Sequence, residues 1–182
     1  SGGLVRYAKD LIFAQQDAGH FVVAFYPGGT SLIYGLCHIH FDKVYEGIKT
    51  YEMSNPLPVS LMYGIRDIEA EIAAQNLDIH SFVLMLDNIK PDVLHIHTLM
   101  GLPLEYLQIV HDRGIRIVYT SHDYFGLCPK VNFINQNGEV CLGASADRCA
   151  VCNAHAKSAM FLKVRNAKWV VPLKSIARRM KR

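Results

Sequence analysis

The stretch KPDVLHIHTLMGLPLEYLQIVHDRGIRIVYTSHDYFGLCPK, residues 90–130, decides the fold. Two short apolar runs, PDVLHIHT (91–98) and IRIVYTS (115–121), flank LPLEYLQIVHDRG (102–114). The middle segment repeats its apolar residues at helical spacing and ends at Gly114, a helix-stop signal. Strand, helix, strand in close succession is the unit that builds a parallel sheet. Both strands end in polar side chains: His95, His97 and Thr98 on the first, Ser121, His122 and Asp123 after the second. Ligands of such sheets bind outside the carboxyl ends of the strands, so these residues fall on the functional edge.

The alternation continues upstream. Leu4, Tyr7, Ala8, Leu11 and Ile12 predict a helix that stops at Gly19. HFVVAFYP (20–27) then reads as a buried strand closed by Pro27 and Gly28, which adds Pro27 to Thr30 to the functional edge. KVYEGIKTYEM (43–53) reads as a more exposed strand or hairpin. Residues 64–90 read as helical, with a break near Asp78 and an end at Pro91. The expected fold class is α/β, a parallel sheet with helices on both faces. No internal repeat or low-complexity linker divides residues 1–182, so a single domain is expected.

Hydrophobic residues make up 51% of the chain and charged ones 19%, which fits a packed core and excludes a disordered chain. The net charge of +3 is too mild to imply nucleic acid. Its distribution is uneven: residues 157–182 carry Lys and Arg and no acid. That segment is either a solvated helix face or a basic amphipathic segment that meets an anionic membrane surface or a phosphate-bearing ligand. The uncharged run Ala18 to Phe41 is long enough to span a bilayer, but Pro27, Gly28, Gly29, Gly35 and three histidines argue against a membrane helix. With no secretory signal, the chain reads as soluble or peripheral on the cytoplasmic side.

Four clusters carry chemistry. Gly2 and Gly3 open the first helix; glycines there let a backbone approach a ligand, and a helix N-terminus favours an anion. The same pair is also what a frayed chain start looks like. His95 and His97 share one strand face, where paired imidazoles bind a metal or hydrogen-bond within the sheet. His122 has the pKa for proton transfer, and Asp123 either orients it or caps the next turn. The cysteines follow C-x12-C-x7-C-x2-C: Cys128, Cys141, Cys149 and Cys152. Asn137-Gly138 marks a hairpin turn that returns Cys141 toward Cys128. Four thiolates suit a closed structural zinc site; an iron–sulfur cluster uses the same ligands, and plain reduced thiols remain the bland reading. Cys37 stands apart.

Taken together, SGGLVRYAKDLIFAQQDAGHFVVAFYPG, the 90–130 stretch and CLGASADRCAVC resemble the N-terminal half of the retaining GT-B glycosyltransferases of family 4, in particular the bacterial surface-polysaccharide type. The resemblance runs from Gly2 to about Cys152, with the 128–152 Cys-rich hairpin as an insertion. It implies a Rossmann-like, acceptor-binding domain of an enzyme that moves a sugar from a nucleotide-sugar to a polysaccharide or lipid-linked acceptor. It implies Gly2 and Gly3 by the donor diphosphate, His122 (with Asp123) at the transferring sugar, and His97, Thr98 and Gly101 on the acceptor side. No catalytic metal is expected, because backbone amides and cations stabilise the leaving diphosphate. The family's strand before Gly2 and its C-terminal domain have no counterpart here, so the expectation is a fragment inactive alone. A sheet lacking its central strand would favour strand exchange and a homodimer. Two other classes compete: a metal-dependent hydrolase using His95, His97, His122 and Asp123, and a non-catalytic zinc-braced binding module. A nucleic-acid role is disfavoured, since the cysteine unit has no basic recognition helix of its own.

Overall fold

The computed structural model describes residues 2–31, 35–66 and 68–170. In chain order the elements are α1 (Gly3–Asp17), β1 (Val23–Pro27), β2 (Leu36–Tyr45), β3 (Ile48–Ser54), a single 3-10 turn (Leu61–Tyr63), α2 (Ile68–Ala73), β4 (Asn76–Leu77), α3 (Ile79–Ile89), β5 (Val93–Ile96), α4 (Leu104–Asp112), β6 (Arg116–Tyr119), α5 (Ala146–Asn153) and α6 (Ala159–Arg165). The fold is α/β, a Rossmann-like arrangement of mostly parallel strands. One sheet runs β1-β3-β2-β4 and a second pairs β5 with β6. Among the described residues β1–β3, β2–β4 and β5–β6 pair in parallel, and β2–β3 antiparallel.

The antiparallel pair is the hairpin that the 43–53 reading allowed, but it starts earlier, at Leu36. Its turn is Glu46-Gly47, with both residues at positive φ (49° and 84°), the backbone that matches the twist of a tight hairpin. The register slips between Phe41 and Lys43, a bulge that sets Asp42 apart. Tyr26 Oη donates to the Asp42 carboxylate at 2.7 Å and Thr50 Oγ1 at 3.3 Å, so the bulge is tied to β1 and β3 together. The helix expected over 64–90 divides into α2, β4 and α3. Asp78 explains the break: its carboxylate accepts from Ser81 N at 3.1 Å and caps α3. Ser81 Oγ in turn accepts from Ile39 N at 2.9 Å, which fixes the start of α3 against β2.

The core lies between the strands and the pair α3 and α4. Cys37, Ile39 and Met53 from β2 and β3 meet Phe82, Met85 and Leu86 of α3 and Tyr106 and Val110 of α4. Phe82 and Tyr106 stack with ring centroids 4.2 Å apart and planes 16° from parallel. Such a pair adds roughly 0.5–1.5 kcal/mol beyond the area it buries. The Tyr106 hydroxyl lies 3.9 Å from the Cys37 thiol, and burial pushes that thiol up to about 11, so Cys37 stays an inert, protonated core residue. Phe82→Ala removes the centre of this cluster. It is expected to cost about 3–5 kcal/mol of stability, read as a lowered urea midpoint with the same slope.

Candidate functional site

The parallel register of β5 and β6 places Leu94 opposite Ile117 and Ile96 opposite Tyr119. Thr120 N then donates to Ile96 O at 2.9 Å, carrying the ladder one residue beyond the strands. The polar residues that follow each strand therefore emerge side by side. His95 Nε2 lies 2.8 Å from Thr120 Oγ1, and His97 Nδ1 lies 3.3 Å from His122 Nε2. The rings of His95 and His97 are 4.2 Å apart, as expected for two residues on one strand face.

The first helix touches the same site through Tyr7. Gly2 caps α1 in an extended conformation, and no acidic residue occupies the first turn, which leaves the positive end of the helix uncompensated. Both glycines are exposed, and a Cβ on either would meet nothing within 4 Å. Tyr7, one turn further in, sets its ring edgewise against His122 (centroids 4.8 Å) and His97 (5.8 Å). Tyr7 reads in the sequence only as part of an apolar helix face. The available signal was its position one turn past a glycine pair, an aromatic with a polar tip near an anion-favouring helix end.

The expected residues are not all placed alike. His97 and His122 come together at one edge, and Gly2 and Gly3 stand one helical turn before Tyr7, which meets both rings. The Asp123 carboxylate accepts from Phe125 N at 2.9 Å, a contact that caps the turn, and His122 Nε2 meets His97 Nδ1. Thr98 Oγ1 accepts from Met100 N at 3.2 Å. Gly101 is buried at φ +85°, and a Cβ there would press on Val59 and Leu57 O, so it shapes the turn and backs onto residues 56–59. The glycine loop after β1 is also engaged internally. Gly29 N donates to Glu52 Oε1 at 3.4 Å, and Lys168 Nζ pairs with the same carboxylate at 2.9 Å.

The described part of the basic segment spends its cations on the fold. Lys163 pairs with Glu71, Lys168 with Glu52, Lys157 lies over the Phe161 ring and Arg165 over Tyr63. Arg178, Arg179 and Lys181 lie outside the described residues. Among the described residues no helix is long and apolar enough to cross a membrane.

Cys128, Cys141, Cys149 and Cys152 all line one cavity of about 410 Å³ and form no disulfide. Among the described residues no three His, Cys, Asp or Glu side chains stand close enough to share one metal ion, here or at the histidines. Burial would push the Cys128 thiol up, but the backbone amides of Lys130, Phe133, Asn132 and Val131 outweigh it and hold the thiol below its ordinary value.

His97 is held below the usual histidine range, chiefly by burial and then by the charges that His95 and His122 can carry beside it. The folded chain therefore binds this proton less readily than the unfolded chain. The contribution of His97 is complete above the unfolded value of about 6.5 and is lost as pH falls from there through the lower folded value. His97→Asn is expected to flatten the fall in stability between about pH 6.5 and pH 5, measured by urea midpoints; an unchanged slope would show that other groups set it.

The family model described as Glycosyltransferase Family 4 matches residues 1–171. No curated protein and no solved structure matches the chain.

Proposed function

The chain belongs to glycosyltransferase family 4, and from that premise we propose that it is the acceptor-side domain of a retaining enzyme that transfers a sugar from a nucleotide-sugar to a polysaccharide or lipid-linked acceptor. The observation that carries this reading is the contact of Tyr7 with His97 and His122, because it brings the start of α1 and two imidazoles to one sheet edge.

In this reading the open backbone at Gly2 and Gly3 receives the donor diphosphate. Side chains are absent there, and the helix end favours negative charge that grows as the sugar–phosphate bond breaks. His122 stands beside the transferring sugar and its phosphate, where an imidazole nitrogen holds an oxygen in place. Tyr7 and His97 fix the ring from two sides, so orientation does not depend on Asp123. His97, kept neutral by its surroundings, lines the acceptor side with Thr98, and the Gly101 turn holds that segment against residues 56–59. A neutral imidazole both accepts and donates hydrogen bonds, which suits a hydroxyl-bearing acceptor.

The metal-dependent hydrolase has no observation in its favour. Among the described residues no three His, Cys, Asp or Glu side chains stand close enough to share the ion it needs. The non-catalytic zinc-braced binding module fares no better, since it assigns no role to an edge where Tyr7 and two imidazoles meet.

In the enzyme that carries this domain, His122→Ala is expected to lower kcat by about 10²–10⁴-fold with a smaller change in KM for the acceptor, while Asp123→Asn has a far smaller effect. Loss of activity in Asp123→Asn with His122→Ala spared would reverse the assignment. Transfer with inversion at the anomeric carbon would remove the retaining mechanism.

A further inference from the structure

We propose that the cavity of about 410 Å³ within residues 127–153 binds an amphiphile made of one aliphatic chain and a phosphate head. Its volume lies in the range of small-molecule sites, about 300–1,000 Å³. That this amphiphile is the sugar acceptor rests on the sugar-transfer reading; its binding does not.

Two walls frame the cavity. The first is the loop and the hairpin foreseen at Asn137-Gly138. Ile134 bridges Val140, Cys141 N donates to Phe133 O at 2.7 Å, and the Asn135 side chain accepts from Asn137 N and Glu139 N at 2.9 Å each. The second wall is α5, where Cys149 and Cys152 share one helix face. Its last residue, Asn153, donates through Nδ2 to Ile65 O at 3.1 Å. Hydrogen bonds thus fix one wall within itself and the other to the body of the domain. Phe133 joins the cavity to the functional edge: its ring stands edgewise against Tyr124, centroids 4.7 Å apart. Tyr124 follows His122 by two residues, and Cys128 N donates to Tyr124 O at 2.9 Å.

The lining is mostly apolar: Leu127, Phe133, Ile134, Leu142 and Val151 all contribute. Leu142 is 95% exposed, Leu127 64% and Val151 56%, a group of large apolar side chains left to water that an aliphatic chain would cover. The four thiols extend this lining, because a free cysteine behaves as a small hydrophobe. Cys141 Sγ donates to Gly143 O at 3.2 Å, so its proton is satisfied by the backbone. Two cations, Lys130 and Arg148, line the same cavity against one carboxylate, Asp147. Arg148 Nε donates to Ser145 Oγ at 2.9 Å. Among the described residues neither cation forms an ion pair, whereas Lys163 and Lys168 are held by Glu71 and Glu52. Unpaired cations beside an apolar lining complement a chain that ends in an anion, and phosphate has oxygens for both. A neutral lipid would leave the cations unused, and a free phosphate would leave the apolar walls in water.

The test alkylates the reduced chain with iodoacetamide and follows each cysteine by mass spectrometry. The probes are decyl phosphate below its micelle concentration, decanol, inorganic phosphate, and vesicles of phosphatidylcholine with phosphatidylglycerol. Decyl phosphate is expected to slow modification of Cys128, Cys141, Cys149 and Cys152 together, saturating at one molecule per chain. Decanol is expected to bind about tenfold more weakly, and inorganic phosphate and vesicles to leave the rates unchanged. Cys37, fully buried, stays unmodified throughout and reports that the chain remains folded. Lys130→Gln combined with Arg148→Gln brings decyl phosphate down to the level of decanol, and Val151→Asp, at an exposed position, abolishes protection. Absence of protection by decyl phosphate in the unsubstituted chain overturns the proposal. So does equal protection by decanol, protection by inorganic phosphate or by vesicles, or modification of Cys37 in step with the other four.

Discussion

The register of a single parallel strand pair governs the functional edge. With Ile96 opposite Tyr119, the residues one and three positions past β6 meet His95 and His97 of the neighbouring strand and its exit. A slip by one residue would turn every β6 side chain to the opposite face and separate His122 from His97. What holds the register is modest in itself: four paired residues, two added hydrogen bonds (Arg116 N to Asp92 O and Thr120 N to Ile96 O), and α4, which connects the two strands and anchors through Tyr106 and Val110 in the core. The buried stack of Phe82 on Tyr106 thus acts at a distance, since it seats the helix whose ends fix where β5 leaves off and β6 begins.

The rest of the sheet shows a second use of polar groups as fasteners. Asp42 at the bulge, Asp78 at the start of α3, Ser81 between α3 and β2, and Glu52 under the glycine loop each satisfy backbone or side-chain donors that would otherwise be unpaired. None of these groups belongs to the β5–β6 edge; they fasten the four-stranded sheet, the start of α3 and the loop after β1. Charged residues near strand ends in this fold divide into those that hold the frame and those that face ligand. Glu52 with Lys168 falls in the first group, although the sheet rule alone put the neighbouring loop in the second.

Where the sequence was legible, one signal dominated locally. The β5–α4–β6 unit has apolar β-branched runs bounded by Pro91 and Gly114, and both strand exits end in histidine, so the elements and the meeting of His97 with His122 on one edge could be read directly. The hairpin around Cys141 was equally plain from Asn137-Gly138. Where reading failed, the deciding partner was remote. Leu36 to Phe41 has no charge and no turn residue to mark it as a strand; it becomes one because β3 and Ser81 pair with it. Asp123 offered two roles of equal local merit, and the contact its carboxylate makes is with an amide two residues ahead. Gly101 belonged to a strand exit by position, but residues 56–59, far away in sequence, pack against it. Tyr7 joined the site through its ring contacts with His97 and His122, a fact of tertiary placement.

The contact between His97 and His122 joins two nitrogens, and a neutral pair can place only one proton between them. If His97 Nδ1 carries it, His122 Nε2 is the acceptor and the remaining nitrogen of His122 must be a donor. If His122 Nε2 carries it, that remaining nitrogen is a bare lone pair, and His97 presents its own proton on Nε2. The two rings therefore choose tautomers jointly. A phosphate oxygen set against His122 selects the first arrangement and, through it, leaves His97 with a lone pair turned outward, ready to accept from a hydroxyl. Occupation of one side of the edge thereby writes the hydrogen-bonding polarity of the other, with no atom heavier than hydrogen needing to move.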